Sequence, residues 1–188
     1  MPLHVFGPMR ITGLFGVSAQ FRGRIEAQRE PLYRLAYSWC HDAGLADDLV
    51  QETLLRALDR AGQLNDPQRL KSWLCAILAN RLKDHFRRTR PLEPLDEDMP
   101  AQGETPEGAS ASNQVAARVR AEIERLPLGQ RQTVTLVDLE GFSYAEVAEI
   151  LEVPVGTVMS RLCRAREALR SRLIDFAAQG NNKIRSIR

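Results

Sequence analysis

Residues 91–112 read PLEPLDEDMPAQGETPEGASAS, and no helix or strand of a packed core is built from such a run. It carries Glu93, Asp96, Glu97, Asp98, Glu104 and Glu107 without one basic residue, and its only sizeable apolar side chains are Leu92, Leu95 and Met99. A segment this poor in apolar surface cannot offset the entropy lost on ordering. The stretch therefore predicts an extended acidic linker, and it cuts the 188-residue chain into two blocks, 20–90 and 113–178. A length of about 100–200 residues per domain leaves room for one medium or two small domains. The cut selects two small ones, flanked by an N-terminal extension over 1–19 and a basic tail over 179–188.

Both blocks have the 3.6-residue period of amphipathic helices. Aromatic residues are only 6% of the chain, and Leu, Ala, Arg, Glu and Gln dominate, which favours helix over sandwich or barrel. In the first block the pattern predicts a helical pair over Phe21–Glu30 and Pro31–His41, or one helix kinked at Pro31. A helix over Leu45–Ala61 follows, with Ala46, Leu49, Val50, Thr53, Leu54, Ala57 and Leu58 inward. Asp66-Pro67 is an N-cap followed by proline at the first helical position, opening a helix to about Arg88. In the second block helices are expected over Asn113–Leu126 and Leu128–Leu139. Ser143-Tyr-Ala-Glu146 is a capping box for a short helix. After Glu152-Val153-Pro154 a long basic helix runs to about Phe176. A short capped helix, a tight turn and a longer helix have the form of a helix-turn-helix.

The net charge of +2 hides segregation. Arg81, Lys83, Arg87, Arg88 and Arg90 crowd one helix end, and Arg161, Arg164, Arg166, Arg170 and Arg172 the last helix. Clustered cations of this kind attract phosphates by displacing counterions. At about 100° per residue, with Val158, Leu162, Ala165 and Leu169 inward, Thr157, Ser160, Cys163, Arg164 and Glu167 face outward. A mixed donor and acceptor face near a helix N-terminus suits reading of base edges, with Arg161 and Arg166 flanking it toward the backbone. The Leu45 helix differs: its outward face is Asp47, Asp48, Gln51 and Glu52 around an apolar Leu55. Such a face repels DNA and suits a protein contact.

Other functions find little support. No run approaches the ~18–20 apolar residues of a membrane span, so no membrane insertion is expected. Ile11–Ala19 ends in Val17-Ser18-Ala19, faintly like an export-signal cleavage site, but Gly13 and Gly16 interrupt it. A flexible extension is the expectation, with Met9 an alternative start. Cys40, Cys75 and Cys163 form no C-x-x-C pair, and their odd number argues against a disulfide framework. No metal, cofactor or catalytic triad is expected, and the chain reads as no enzyme.

The run Ala46-Asp-Asp-Leu-Val-Gln-Glu-Thr-Leu54, with Trp73–Asn80 and Asp84-His-Phe-Arg-Arg88, resembles the region 2 signature of sigma factors. Leu126-Pro127, Arg131, Leu136, Glu140–Ala148 and Gly156–Arg166 resemble sigma region 4. The order and the absence of a third domain are similar to the extracytoplasmic-function (ECF) subfamily. The resemblance implies an all-α protein of two small helical domains that binds core RNA polymerase and directs promoter recognition and melting. It implies that Asp47, Asp48, Gln51, Glu52 and Leu55 meet the β′ clamp helices, and that region 4 meets the β flap. Trp73, Asn80, Lys83, Arg87 and Arg88, with the Gly62–Arg69 loop, would engage the −10 element, where a base is flipped out and captured. Thr157, Ser160, Arg161, Arg164 and Arg166 would engage the −35 duplex. Two departures stand out from the family resembled: Met159 occupies a position that is usually Lys or Arg there, and Val137 one that is basic in some members. A further partner implied by the same resemblance is an anti-sigma factor, and the location implied is the cytoplasm. The other function class that the residues allow is a stand-alone helix-turn-helix regulator, which has no use for an acidic Asp48/Gln51/Glu52 face.

Overall fold

The computed structural model describes residues 18–89 and 111–185, entirely helical apart from turns and connections. The N-terminal extension to residue 17 and the stretch 90–110, with nearly all of the acidic linker, lie outside the described residues. In chain order the helices are α1 (Ala19–Glu26), α2 (Arg29–Cys40), α3 (Ala43–Asp59), α4 (Leu70–Thr89), α5 (Ala111–Glu124), α6 (Leu128–Val134), α7 (Tyr144–Leu151) and α8 (Val155–Arg185).

Local chemistry sets most of the boundaries. The break between α1 and α2 falls at Ala27-Gln28, so Pro31 sits in the first turn of α2, where its missing N–H is no loss. Asp42 caps α3, its carboxylate accepting from the Leu45 amide at 2.9 Å. Asp66 accepts from the Gln68 amide at 2.8 Å and opens a 3-10 turn, Pro67–Arg69, that runs into α4. Both bonds of the capping box at Ser143 and Glu146 are present, an arrangement whose loss typically costs about 1 kcal/mol. α6 ends sooner than its apolar pattern suggests: Thr135–Leu139 forms a π turn. α8 outruns its expected end and continues to Arg185.

Helices α1–α4 form the first domain around Trp39, Leu74, Leu78 and Leu82, all almost without solvent contact. Helices α5–α8 form the second. There Glu122 is fully buried on α5 and is held by Arg118 at 2.8 Å, Arg125 at 3.2 Å and Arg172 of α8 at 3.8 Å. A buried carboxylate needs such partners, and stripping one away typically costs about 3–5 kcal/mol.

The two domains are packed on each other. One apolar cluster runs from Ile25 through α4 to Phe142, Val147, Ile150 and Val158 of the second domain. Helix α7 lies along α4. On the far side of the seam, Trp39 Nε1 donates to Thr135 Oγ1 at 2.8 Å, and Arg131 Nη1 donates to the Trp39 carbonyl at 2.7 Å. Arg131 is 3% exposed, and burial pulls its guanidinium down to about 10. It also donates to the Leu126 carbonyl and lies 2.6 Å from His41 Nε2. Burial, and then the charge of Arg131, lowers His41 to about 4, so its ring is neutral and accepts.

Candidate nucleic-acid interface

The outward face of α3 is open. Asp48, Gln51 and Glu52 are exposed, and Leu55 keeps 45% of its surface in solvent. Asp47 is half-buried; it accepts from Gln51 Nε2 at 2.7 Å and lies 3.8 Å from Arg29 Nη1. This holds Gln51 upright along the helix, an i, i+4 pair on one face.

The face formed by α4 and the loop before it is covered. Trp73 walls a cavity of about 350 Å³ lined by Gln63, Asn65, Asp66 and Arg69 on one side and by Glu146 and Glu149 of α7 on the other. Asn80 is half-buried, and its Nδ2 donates to Glu152 Oε1 at 3.0 Å. Arg69 pairs with Glu149 at 2.5 Å, and Lys71 with Glu140 at 2.8 Å. Lys71 also lies 5.0 Å above the Phe142 ring, a cation–π distance. Three polar groups on the first domain are thus matched by three carboxylates on the second. Lys71 escapes a search for arginine clusters because only Arg69 accompanies it in sequence. Its partners are legible only as an acidic bias of Glu140, Glu146, Glu149 and Glu152 around the short helix.

The arginine cluster at the end of α4 is only partly available. Asp84 pairs with Arg81 and, at 2.9 Å, with Arg87. Lys83, Arg87 and Arg88 remain exposed on the C-terminal turns. There they also favour the helix dipole.

On α8 the expected face divides. Ser160, Cys163, Arg164 and Glu167 are exposed, as the helical angles predict. Thr157 is half-buried, and its carbonyl accepts from Ser160 Oγ at 3.0 Å. Arg161 departs from the expected open flank: it is 8% exposed, and its guanidinium packs over Gly129, where a Cβ would come within 3.0 Å of it. Arg166 is gripped by Asp138 through two hydrogen bonds, 2.6 and 3.1 Å. Fork-to-carboxylate geometry makes this a strong local pair. Met159 is 54% exposed, an apolar group on the outer surface of the helix. Val137 is half-buried and packs against both apolar clusters, so a basic side chain there would be displaced from the core.

Among the described residues no His, Cys, Asp or Glu group is arranged to hold a metal ion, and no helix is long and apolar enough to cross a membrane. Cys75 is buried, which pushes its thiol up to about 12. A thiol so far above neutral pH is a poor nucleophile.

Comparison with known proteins agrees with this layout. Residues 25–91 match Sigma-70 region 2, and residues 116–169 match Sigma-70, region 4. RNA polymerase sigma-H factor of Pseudomonas aeruginosa is 34% identical over 148 residues, covering 72% of this chain and 76% of that protein. ECF RNA polymerase sigma factor SigM of Mycobacterium tuberculosis is 36% identical over 153 residues, covering 80% and 75%. Among solved structures, the sigma factor RpoE of Bartonella quintana in complex with the anti-sigma factor NepR superposes with a TM-score of 0.66 at 25% identity, over 83% of this chain and 98% of that one. CnrH in complex with the cytosolic domain of CnrY gives 0.59 at 27% identity, over 87% and 93%. Two helical domains, one matched to each region, define a factor that directs promoter recognition in transcription initiation. The chain belongs to the sigma-70 family of RNA polymerase sigma factors, and its relatives include many ECF RNA polymerase sigma factors.

Proposed function

We propose that each surface of this ECF sigma factor has its own partner. The open face of α3, Asp48, Gln51 and Glu52 beside Leu55 with Asp47 as brace, docks on the β′ clamp helices of core RNA polymerase. The second domain meets the β flap. Trp73, Asn80, Lys83, Arg87 and Arg88 act on the −10 element. There the cavity beside Trp73 receives an unstacked base, and the Asn80 amide, able to donate and accept, reads a base edge. Ser160 and Arg164 read the −35 duplex from the exposed side of α8. Arg166 serves that site only after it leaves Asp138, and Arg161 only after it leaves its packing over Gly129, while the half-buried Thr157 stands beside Ser160 at the edge of the reading face. The protein is no enzyme itself: the chemistry belongs to the polymerase. It works in the cytoplasm, and an anti-sigma factor restrains it.

The observation that carries the core-binding assignment is that the α3 face is acidic, exposed and left uncovered by the second domain. Asp48→Arg with Gln51→Ala changes only outward positions, so stability should move by no more than about 0.5 kcal/mol. Association with core polymerase should be lost while the circular dichroism spectrum stays the same. Undiminished core binding by a normally folded variant overturns the assignment.

A further inference from the structure

The exposed side of α8 carries an apolar border. Met159 keeps 54% of its surface in solvent, on a helix that buries Val158, Leu162 and Ala165 almost completely. One turn earlier Val155 is 43% exposed. Single exposed apolar side chains are ordinary on a protein surface. These two stand in line at i, i+4 spacing on the first turns of α8, where a recognition helix contacts base edges.

The shape of that face gives Met159 its reach. At about 100° per residue, Gly156 and Ser160 fall near the middle of the exposed side, with Met159 on one border and Arg164 on the other. Gly156 has no side chain, and no atom lies within 4 Å of where one would begin. Ser160 is short, and its hydroxyl turns back to donate to the Thr157 carbonyl at 3.0 Å. The middle of the face is therefore shallow, and the two long side chains extend past it. They stand about 7.5 Å apart along the helix axis, roughly two base-pair steps.

The two arms differ in chemistry. The Arg164 guanidinium can pair with a guanine edge. A thioether is at most a weak acceptor and has no attraction for phosphate. The apolar group that a base pair presents in the major groove is the C5-methyl of thymine. Methionine is unbranched and flexible, so it adjusts to a small apolar partner of that kind.

We propose that Met159 is a specificity-determining residue of the −35 contact: its side chain packs on the C5-methyl of a thymine within about three base pairs of the base that Arg164 contacts. The inference deepens the reading of the exposed side of α8 as the −35 reader, and rests on it. Burial of the methyl against the thioether favours thymine at that position. Uracil pairs in the same way without the methyl and loses the contact.

The test uses the full chain assembled with core polymerase, which first selects a −35 duplex from a random pool. The selected duplex is remade with each thymine in turn replaced by uracil. Replacing each guanine by 7-deazaguanine locates the base that Arg164 contacts. Duplex affinity and core affinity are read for wild type, Met159→Ala, Met159→Lys and Arg164→Ala, with circular dichroism to confirm that each is folded. For wild type, uracil at one position within the expected distance should weaken binding about fourfold, the worth of one buried methyl. Met159→Ala should bind the thymine and uracil duplexes alike. Met159→Lys should do the same, with a salt dependence steeper by about one phosphate contact.

If Arg164→Ala weakens duplex binding, the −35 reading stands, and two results then overturn the proposal: a wild type indifferent to uracil at every thymine within that distance, or a uracil penalty that persists in Met159→Ala. Weaker core binding by Met159→Ala with its thymine preference intact also overturns it, and makes the side chain a protein contact. If neither Arg164→Ala nor Met159→Ala alters duplex affinity, the −35 reading of α8 falls, and the proposal with it.

Discussion

The indole N–H of Trp39 in α2 donates to the hydroxyl of Thr135 at the end of α6, 96 residues away, across 2.8 Å. Both side chains are buried, and the bond crosses the seam between the domains. Beside it Arg131 reaches the Trp39 carbonyl and His41. A polar lock thus closes one edge of a seam whose middle is apolar and whose other edge is the row of second-domain carboxylates that meets Arg69, Lys71 and Asn80.

Thr135→Val keeps the shape but leaves the buried indole N–H without an acceptor. An unsatisfied buried donor costs about 1–3 kcal/mol. For a chain of this size each kcal/mol moves Tm by about 2–4 °C. Wild type should melt in one step, with tryptophan fluorescence from Trp39 and Trp73 and circular dichroism coincident, because the domains share a core. The variant should melt lower. A Thr135→Val protein with unchanged Tm would show that the lock carries no stability.

The same edge responds to pH. His41 is pulled down to about 4 by burial and by Arg131, from an ordinary value of 6.5. Its neutral form is therefore favoured in the closed state, and an opened state takes up a proton first. Closed-state stability from His41 is complete above about pH 6.5 and is lost as pH falls toward 4. Burial raises the Glu124 carboxyl, which lies 3.8 Å from His41 Nδ1 and acts in the opposite sense. Small-angle scattering should show the protein expanding between pH 7.5 and 5.5, and His41→Asn should remove that step. A pH-independent radius in wild type contradicts the assignment.

Asn80→Ala should impair promoter opening more than closed-complex formation, because the amide acts on an unstacked base. On a pre-melted template with an abasic site at the captured position, variant and wild type should converge. A persistent gap there would assign Asn80 to holding Glu152 alone.

Arg164→Ala should weaken binding to a matched −35 duplex by about 1–3 kcal/mol, the worth of one bidentate pairing between a guanidinium and a base edge. Asp138→Ala should do the reverse of a deletion at Arg166: it removes both carboxylate acceptors of that guanidinium, tightens binding to all duplexes and steepens the salt dependence. Equal effects of the two substitutions on matched and scrambled duplexes contradict the division of α8 into a reading face and a backbone flank.

Helix starts were legible in the sequence where a side chain announced them: Asp66 and Ser143 each cap a helix near the expected place, while the Asp42 cap, which starts α3 at Ala43 and not at Leu45, went unread. The exposed side of α8 followed from its period, and so did the acidic face of α3. Periodicity says which face is buried, though not against what. Ile77 of α4, and Val147 and Ile150 of α7, read as the cores of separate domains, yet they meet in one cluster that also takes in Ala79. The burial of Arg161 was also missed, since its angle on the helix points outward and the guanidinium is covered by packing over Gly129 at the start of α6. Arg131 stood in a motif without an evident role, because its partners Trp39 and His41 lie in the other half of the chain.

Run-off transcription by core polymerase on genomic promoter fragments, with and without this chain, addresses the central claim most directly. The account predicts discrete promoter-specific transcripts that require the chain, vanish with Asp48→Arg and Gln51→Ala, and weaken with Asn80→Ala on duplex templates. Transcripts that are the same with and without the chain, while the chain alone binds duplex promoters tightly, would contradict it and describe a stand-alone helix-turn-helix regulator instead.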